Sequence, residues 1–163
     1  MKTRYSLLPI LMFLISFFTT ADAMAGWHSW SQSTRNQAIV DETYQYNNTY
    51  VGESCKEWAR TVLYGASNGA VTIPSTAAAL YYWYSSSNVV GRSGLIEYAQ
   101  PGEVVQMKLN SGIEHTAIVL AVSPSGVTFI ESNWGGDEYV HVRYVTFTNF
   151  YNQVDQFTIY YIL

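Results

Sequence analysis

The chain has 163 residues, a formal net charge of −4, and more aromatic residues (16%) than charged ones (12%). Its acidic balance and scarcity of Lys and Arg exclude the basic surface that nucleic-acid binding needs. A chain of this length buries one sizeable core, so we expect a single domain without internal repeats.

Residues 1–25 have the layout of a secretory signal peptide. Lys2 and Arg4 precede an apolar run at 7–18, and small residues follow around Ala23 and Ala25. That run is shorter than the roughly 20 residues of a transmembrane helix. We expect cleavage after residue 25, a periplasmic or secreted location with no membrane contact afterwards, and one domain at 26–163.

The segment 26–50 is polar and weakly periodic, which predicts a lead-in arm with a short helix near 37–42. Beyond it lies the only cysteine of the chain, Cys55. An exported protein cannot close an internal disulfide with one cysteine. The thiol is therefore either packed as a small hydrophobic group or retained because it reacts.

The stretch "SCKEWARTVLYG" predicts a helix. Ser54 and Glu57 have the spacing of a capping box, and Gly65 suits a helix end. Cys55 falls at the first helical position, and the apolar face comprises Trp58, Ala59, Val62 and Leu63. The later stretch "PSTAAALYYWYSS" (74–86) is compatible with a second helix or with extended chain.

From residue 100 onward the pattern becomes that of β-strands separated by turns. Strands are predicted at 101–109, 114–122, 127–133, 138–147 and 156–163, with turns at "NSG", "SPSG" and "WGGD". One or two N-terminal helices followed by such a series predict an α+β fold, with the helices packed on an antiparallel sheet of about five to six strands.

Alternation along the second and third strands assigns three polar side chains to the interior. His115 shares a face with small apolar residues, and Glu131 and Asn133 end a strand whose inner face is otherwise apolar. Buried polar groups need hydrogen-bond partners. The tight turn between the strands brings His115 beside Glu131 or Asn133, either of which can hold the imidazole.

A thiol at a helix N-terminus lies near the positive end of the helix dipole, and a neighbouring imidazolium lowers its pKa further. A helix-start thiol, an imidazole and an orienting carboxylate are the parts of a cysteine hydrolase. In this chain they come in the order Cys55, His115, Glu131.

The motifs "GESCKEWA", "PGEVVQM", "EHTAIVL" and "VTFIESNW", in this order between residues 51 and 145, resemble the CHAP domain. These are cysteine, histidine-dependent amidohydrolases/peptidases, related to NlpC-type and papain-like enzymes. The resemblance implies a papain-like fold with Cys55 as nucleophile, His115 as base, Glu131 as the residue that orients it, and Asn133 in the active site. It also implies hydrolysis of peptidoglycan, either as an N-acetylmuramoyl-L-alanine amidase or as an endopeptidase, without a cofactor or metal.

Two positions depart from the common CHAP pattern. Many members have glutamine before the cysteine and glycine before the histidine, where this chain has Ser54 and Glu114. Ser54 and Trp134 are the candidate substrate-binding residues. Trp134 and the other aromatic residues fit either a stacking platform for sugars and peptides or an aromatic core.

Two other functions are compatible with the same residues. An exported cysteine enzyme can deamidate or cross-link protein glutamine, and an aromatic surface can serve a non-catalytic domain that binds wall or glycan. We expect peptidoglycan as the main partner, a protein inhibitor or activator as a further one, and a monomer.

Overall fold

The computed structural model of the protein describes residues 26–73 and 88–163. The predicted signal peptide at 1–25 and the predicted second helix at 74–86 lie outside the described residues. In the part of the chain that is described, no helix has the length and apolarity to cross a membrane.

Within residues 26–73 and 88–163, three α-helices of seven residues or more and six strands form the framework, and residues 26–29 are helical as well. The α-helices are α1 (Gln32–Thr43), α2 (Cys55–Ala66) and α3 (Phe147–Gln153), and two 3₁₀ turns cover Tyr44–Tyr46 and Ile96–Tyr98. The strands are β1 (Val89–Arg92), β2 (Val104–Leu109), β3 (Glu114–Ser123), β4 (Gly126–Ser132), β5 (Val140–Thr146) and β6 (Val154–Ile162).

The strands make one antiparallel sheet in the order β1-β6-β2-β3-β4-β5. This confirms the α+β class and the sheet of five to six strands. β1 was not predicted, because four residues that include Gly91 carry little strand pattern. α3 was not predicted either, since its aromatic sequence "FTNFYNQ" resembles a strand and its N-cap, Thr146, ends the strand before it.

The sheet buries apolar side chains on both faces. Alternation along β3 sends Ile118 to the face covered by α1 and α2, and Ala117 and Val119 to the opposite face. The second face is covered by α3 and by the 3₁₀ turn Ile96–Tyr98, through Phe150 and Ile96. His115 and Glu131 belong to this second face by the same alternation.

The segment 26–50 is part of the core rather than a lead-in arm. Its helix runs over Gln32–Thr43, longer than the predicted 37–42, and Ser31 caps it. Trp27 and Ile39 are fully buried. The indole nitrogen of Trp27 donates to the carbonyl of Leu163 at 2.8 Å, which ties the segment to the end of β6. Burial of these two large apolar side chains stabilises the segment against the core, although most of its residues are polar.

Helix α2 begins as its sequence predicts and ends slightly later. Ser54 and Glu57 form the predicted capping box. The helix continues past Gly65 to Ala66, and the left-handed residues that end it are Asn68 and Gly69. Gly65 instead leaves room for the carboxylate of Glu42 on α1, which a side chain at this position would displace. The predicted stop at Gly65 is therefore wrong.

Candidate active site

Cys55 occupies the first position of α2 and borders an open cleft. It is 9% exposed and is one of the residues that line the cleft. Backbone N–H groups of Lys56 and Thr116 hydrogen-bond to the sulfur. The capping box fixes the first turn of the helix, which holds the Lys56 amide toward the thiol.

The imidazole of His115 joins the thiol to a buried carboxylate. Its Nε2 lies 2.9 Å from Oε2 of Glu131, and the ring also hydrogen-bonds to the Cys55 thiol. Because Nε2 is bound to Glu131, Nδ1 is the nitrogen that is left for the sulfur. The structure thus brings the three predicted groups, Cys55, His115 and Glu131, into one connected chain.

Glu131 is fully buried on β4 and has a second charged partner that the sequence did not reveal. Nε of Arg143 donates to Oε1 of Glu131, and the second guanidinium contact, to Oε2, is 3.3 Å long. β4 and β5 pair with Phe129 opposite Arg143, so the Arg143 side chain reaches Glu131 on the same face of the sheet. The carboxylate is therefore held from two sides.

Trp134 lies between the imidazole and the guanidinium. Its ring meets that of His115 edge to face, with centroids 5.0 Å apart and planes at 81°. The guanidinium carbon of Arg143 lies 3.6 Å from the centroid of the indole. One indole face is thus covered by Arg143, while Trp134 also lines the cleft.

Asn133 lines the cleft but its side-chain oxygen is engaged elsewhere. It adopts a left-handed conformation (φ 61°), and its Oδ1 accepts a hydrogen bond from the backbone N–H of Glu138 at 3.2 Å. The backbone N–H of Asn133 donates to Tyr139. Of the two predicted partners of the imidazole, Glu131 makes the contact, and Asn133 shapes the 133–139 loop at the cleft mouth.

Ser54 serves the helix end. Its hydroxyl donates to Oε2 of Glu57 at 2.9 Å and accepts from the Glu57 backbone N–H at 3.4 Å. It is not among the residues that line the cleft. The structure therefore gives this hydroxyl a capping task that positions Cys55, whereas a substrate contact remains a prediction.

The electrostatics of the site favour a thiolate–imidazolium pair. Burial alone raises the pKa of Cys55, but hydrogen bonding and the charge of His115, with the amides of Thr116 and Lys56, outweigh it and lower that pKa. Burial alone lowers the pKa of His115, but the bonds and charges of Cys55 and Glu131 raise it to about 9. Burial opposes ionisation of Glu131 as well, yet His115 and Arg143 hold its pKa below the ordinary value.

The cleft has a volume of about 510 Å³ and mixes apolar with polar walls. One wall comes from the β2–β3 turn and the other from the Gly-rich loop after β4; the lining comprises Cys55, Leu109, Ile113, Glu114, His115, Asn133, Trp134, Gly135 and Gly136. A larger pocket of about 720 Å³ borders the other flank of α2, and its lining includes none of Cys55, His115 and Glu131. Cys55 and His115 therefore lie at the smaller cleft.

Within residues 26–73 and 88–163, no group of three or more His, Cys, Asp and Glu side chains is arranged to hold a metal ion. His141 instead pairs with Asp137 at 2.7 Å on the surface.

Arg143 is the site residue that the sequence analysis missed. The alternating stretch "EYVHVRYVTF" assigns Arg143 to the same face as Val145. It does not fix the register of β5 against β4, because the connecting loop after Asn133 has a left-handed start and two glycines. The signal available in the sequence was Glu131 on the neighbouring strand, because a buried carboxylate needs a positively charged partner.

No protein-family model matches the chain, and no curated protein matches it. Its fold is similar to the crystal structure of Ly7917, with a TM-score of 0.54, 20% identity and coverage of 76% of this chain and 61% of that one. It is also similar to the crystal structure of Ly7917 with the hydrolyzing product of MDP, with a TM-score of 0.60, 21% identity, and coverage of 78% and 62%. The chain thus spans about three fifths of the structures it matches, and the likeness is one of fold.

Proposed function

We propose that this protein is an exported cysteine hydrolase of the CHAP type, with a papain-like active site, that cleaves amide bonds of peptidoglycan. The observation that carries the proposal is the chain of contacts from the Cys55 thiol at a helix N-terminus through the His115 ring to buried Glu131. This arrangement opens onto a cleft large enough for a short peptide or sugar–peptide segment.

The reaction follows from the ionic pair. The Cys55 thiolate attacks the amide carbonyl carbon, and the carbonyl oxygen becomes an oxyanion that the backbone N–H of Cys55, at the N-terminus of α2, can receive. The His115 imidazolium then gives its proton to the leaving nitrogen as the C–N bond breaks. The neutral imidazole next takes a proton from water and becomes the imidazolium again, while the hydroxide opens the thioester and releases the thiolate and a carboxylic acid, which loses its proton to solvent.

One similar structure, a motif resemblance and a sequence prediction support peptidoglycan as the substrate. One similar structure was solved with the hydrolyzing product of MDP, a peptidoglycan-derived ligand. The motifs around the site resemble those of a family that cuts this polymer. The predicted signal peptide at 1–25 would deliver the enzyme to the compartment where the polymer lies.

Digestion of purified cell wall tests the proposal. Wild type and Cys55→Ala are incubated with wall, and the products are identified by mass spectrometry. We expect wild type to release muropeptides with new amino and carboxyl ends, and Cys55→Ala to release none while keeping the wild-type circular dichroism spectrum. Identical products from both proteins would overturn the proposal.

Two further assays with the same pair of proteins distinguish the hydrolase from the two other functions. A deamidase or transglutaminase would leave the wall intact and release ammonia from a glutamine-containing protein in a Cys55-dependent manner. If the protein is a binding domain, wild type and Cys55→Ala would bind wall equally well in a pull-down, and neither would cleave it.

A further inference from the structure

The contacts of Arg143 reach two parts of the site at once. Its guanidinium bonds both oxygens of Glu131, and its flat face covers the indole of Trp134 at 3.6 Å. The side chain is 22% exposed, so these interactions are only partly screened by solvent. Glu131 and Trp134 in turn are the two groups that contact the His115 ring from the β4 side.

A buried carboxylate with one hydrogen bond to an imidazole is free to rotate about its last side-chain bond. The planar fork of an arginine removes this freedom because it bonds both oxygens in one plane. Oε2 then stays directed at Nε2 of His115, and Nδ1 stays directed at the sulfur of Cys55. The same guanidinium plane supports Trp134, which lines the cleft beside Asn133.

We propose that Arg143 is a positioning residue of this site, which fixes the Glu131 carboxylate for His115 and holds Trp134 as a wall of the substrate cleft. The second half of this statement rests on the proposed hydrolase function. The first half does not, because the state of the Cys55–His115 pair can be measured without any substrate.

The charges around the pair predict the direction of the effect. The pair consists of the Cys55 thiolate on α2 and the His115 imidazolium on β3. The charged groups around it are Lys56 on α2, Glu114 on β3, Glu131 on β4 and Arg143 on β5. Removal of the guanidinium charge leaves the connected cluster of thiolate, imidazolium and carboxylate with an excess negative charge. Such a cluster binds a proton more readily, so the thiolate forms only at higher pH.

The chain provides a matched control in a second arginine–glutamate pair. Arg92 bonds buried Glu103 at 2.7 Å, and its own side chain is 28% exposed, close to the value for Arg143. This pair connects β1 to the turn before β2, and neither residue lines the cleft. Arg92→Gln therefore removes a comparable ion pair without altering the site.

The first measurement is the pH dependence of Cys55 alkylation by iodoacetamide, which is site-specific because the chain has one cysteine. In Arg143→Gln we expect the midpoint of thiolate formation to rise by about half a pH unit or more. In Arg143→Lys, which keeps the charge but loses the planar fork on both carboxylate oxygens, we expect a smaller rise of the midpoint than in Arg143→Gln, and in Arg92→Gln we expect the wild-type midpoint. A wild-type midpoint in Arg143→Gln, or an equal shift in Arg92→Gln, overturns the proposal.

The second measurement is turnover of a soluble muropeptide. Arg143→Lys keeps a cation for Glu131 but lacks the plane that covers Trp134, so we expect KM to rise about fivefold or more while kcat falls less. An unchanged KM removes the role assigned to Trp134. If wild type itself cleaves no muropeptide, the proposed function fails, while the alkylation result still decides whether Arg143 positions Glu131.

Discussion

Nε2 of His115 and Oε2 of Glu131 lie 2.9 Å apart, with both side chains almost completely removed from water. The carboxylate fixes the ring so that Nδ1 meets the Cys55 sulfur, and it stabilises the imidazolium that the sulfur needs as counter-ion. Because the pair is buried, the interaction is weakly screened by salt. The reactivity of Cys55 thus depends on a residue that does not touch it.

Glu131→Gln tests this dependence. The amide keeps the size of the carboxylate but loses its charge, so the imidazolium is no longer stabilised from Nε2. We expect kcat on muropeptides to fall by about 10²-fold or more. Glu103→Gln, in the buried pair with Arg92, is the control and should alter stability without a comparable loss of kcat. Equal kcat in Glu131→Gln and wild type would contradict the role of Glu131.

The pH dependence of kcat/KM follows from the two shifted groups. Activity should rise as Cys55 loses its proton, at a pH below the ordinary thiol value of 9.0. It should fall as the His115 imidazolium loses its proton, with a midpoint of about 9, because the raised pKa keeps that proton bound well beyond the ordinary 6.5. The profile should therefore be flat through neutral pH, with limbs that belong to the coupled pair. A loss of activity near pH 6.5 on raising the pH would refute the ionic pair.

A second substitution distinguishes the role of Asn133 from that of Glu131. Asn133→Gly removes the side chain and tolerates the left-handed backbone at φ 61°. Since Oδ1 of Asn133 bonds the loop and not the imidazole, we expect kcat to stay within about tenfold of wild type, with the larger effect on KM through the cleft mouth. A collapse of kcat like that of Glu131→Gln would instead make Asn133 part of the proton-transfer chain.

The cap of α2 is predicted to matter for both stability and reactivity. Ser54→Ala removes a capping box, which costs about 1 kcal/mol of unfolding free energy. It also loosens the first turn, whose Lys56 amide helps to stabilise the Cys55 thiolate, so the midpoint of alkylation should move to higher pH. Ser31→Ala removes the cap of α1 and should cost a similar free energy without moving that midpoint. A shift in both variants would mean that general loosening, not the cap at Cys55, is responsible.

The sequence predicted the Cys55 helix start and the approach of His115 to Glu131 because both depend on local rules. A capping box fixes a helix start, and a tight hairpin with strand alternation brings nearby residues together. The place of Arg143 in the site, and its contact with Trp134, depend instead on the register across the seven-residue loop 133–139, in which Asn133, Gly135, Gly136 and Glu138 are left-handed. The burial of Trp27 was equally hidden, because its partner, the carbonyl of Leu163, is 136 residues away in the chain. Non-local contacts of this kind have no periodic pattern in the sequence.

The contact between the turn before β2 and helix α1 gives a final prediction, which tests whether residues 26–50 are part of the core. Gly102 has a φ of 82°, and a Cβ there would run into the backbone of Asn36 on α1. Gly112 has a φ of 85° but faces open space. Alanine at either position pays about 1 kcal/mol for the left-handed conformation, and only Gly102→Ala must also displace α1. We expect urea unfolding to show a loss of about 2 kcal/mol or more for Gly102→Ala and about 1 kcal/mol for Gly112→Ala. Equal losses would mean that α1 is free to move away from the sheet, as a lead-in arm would.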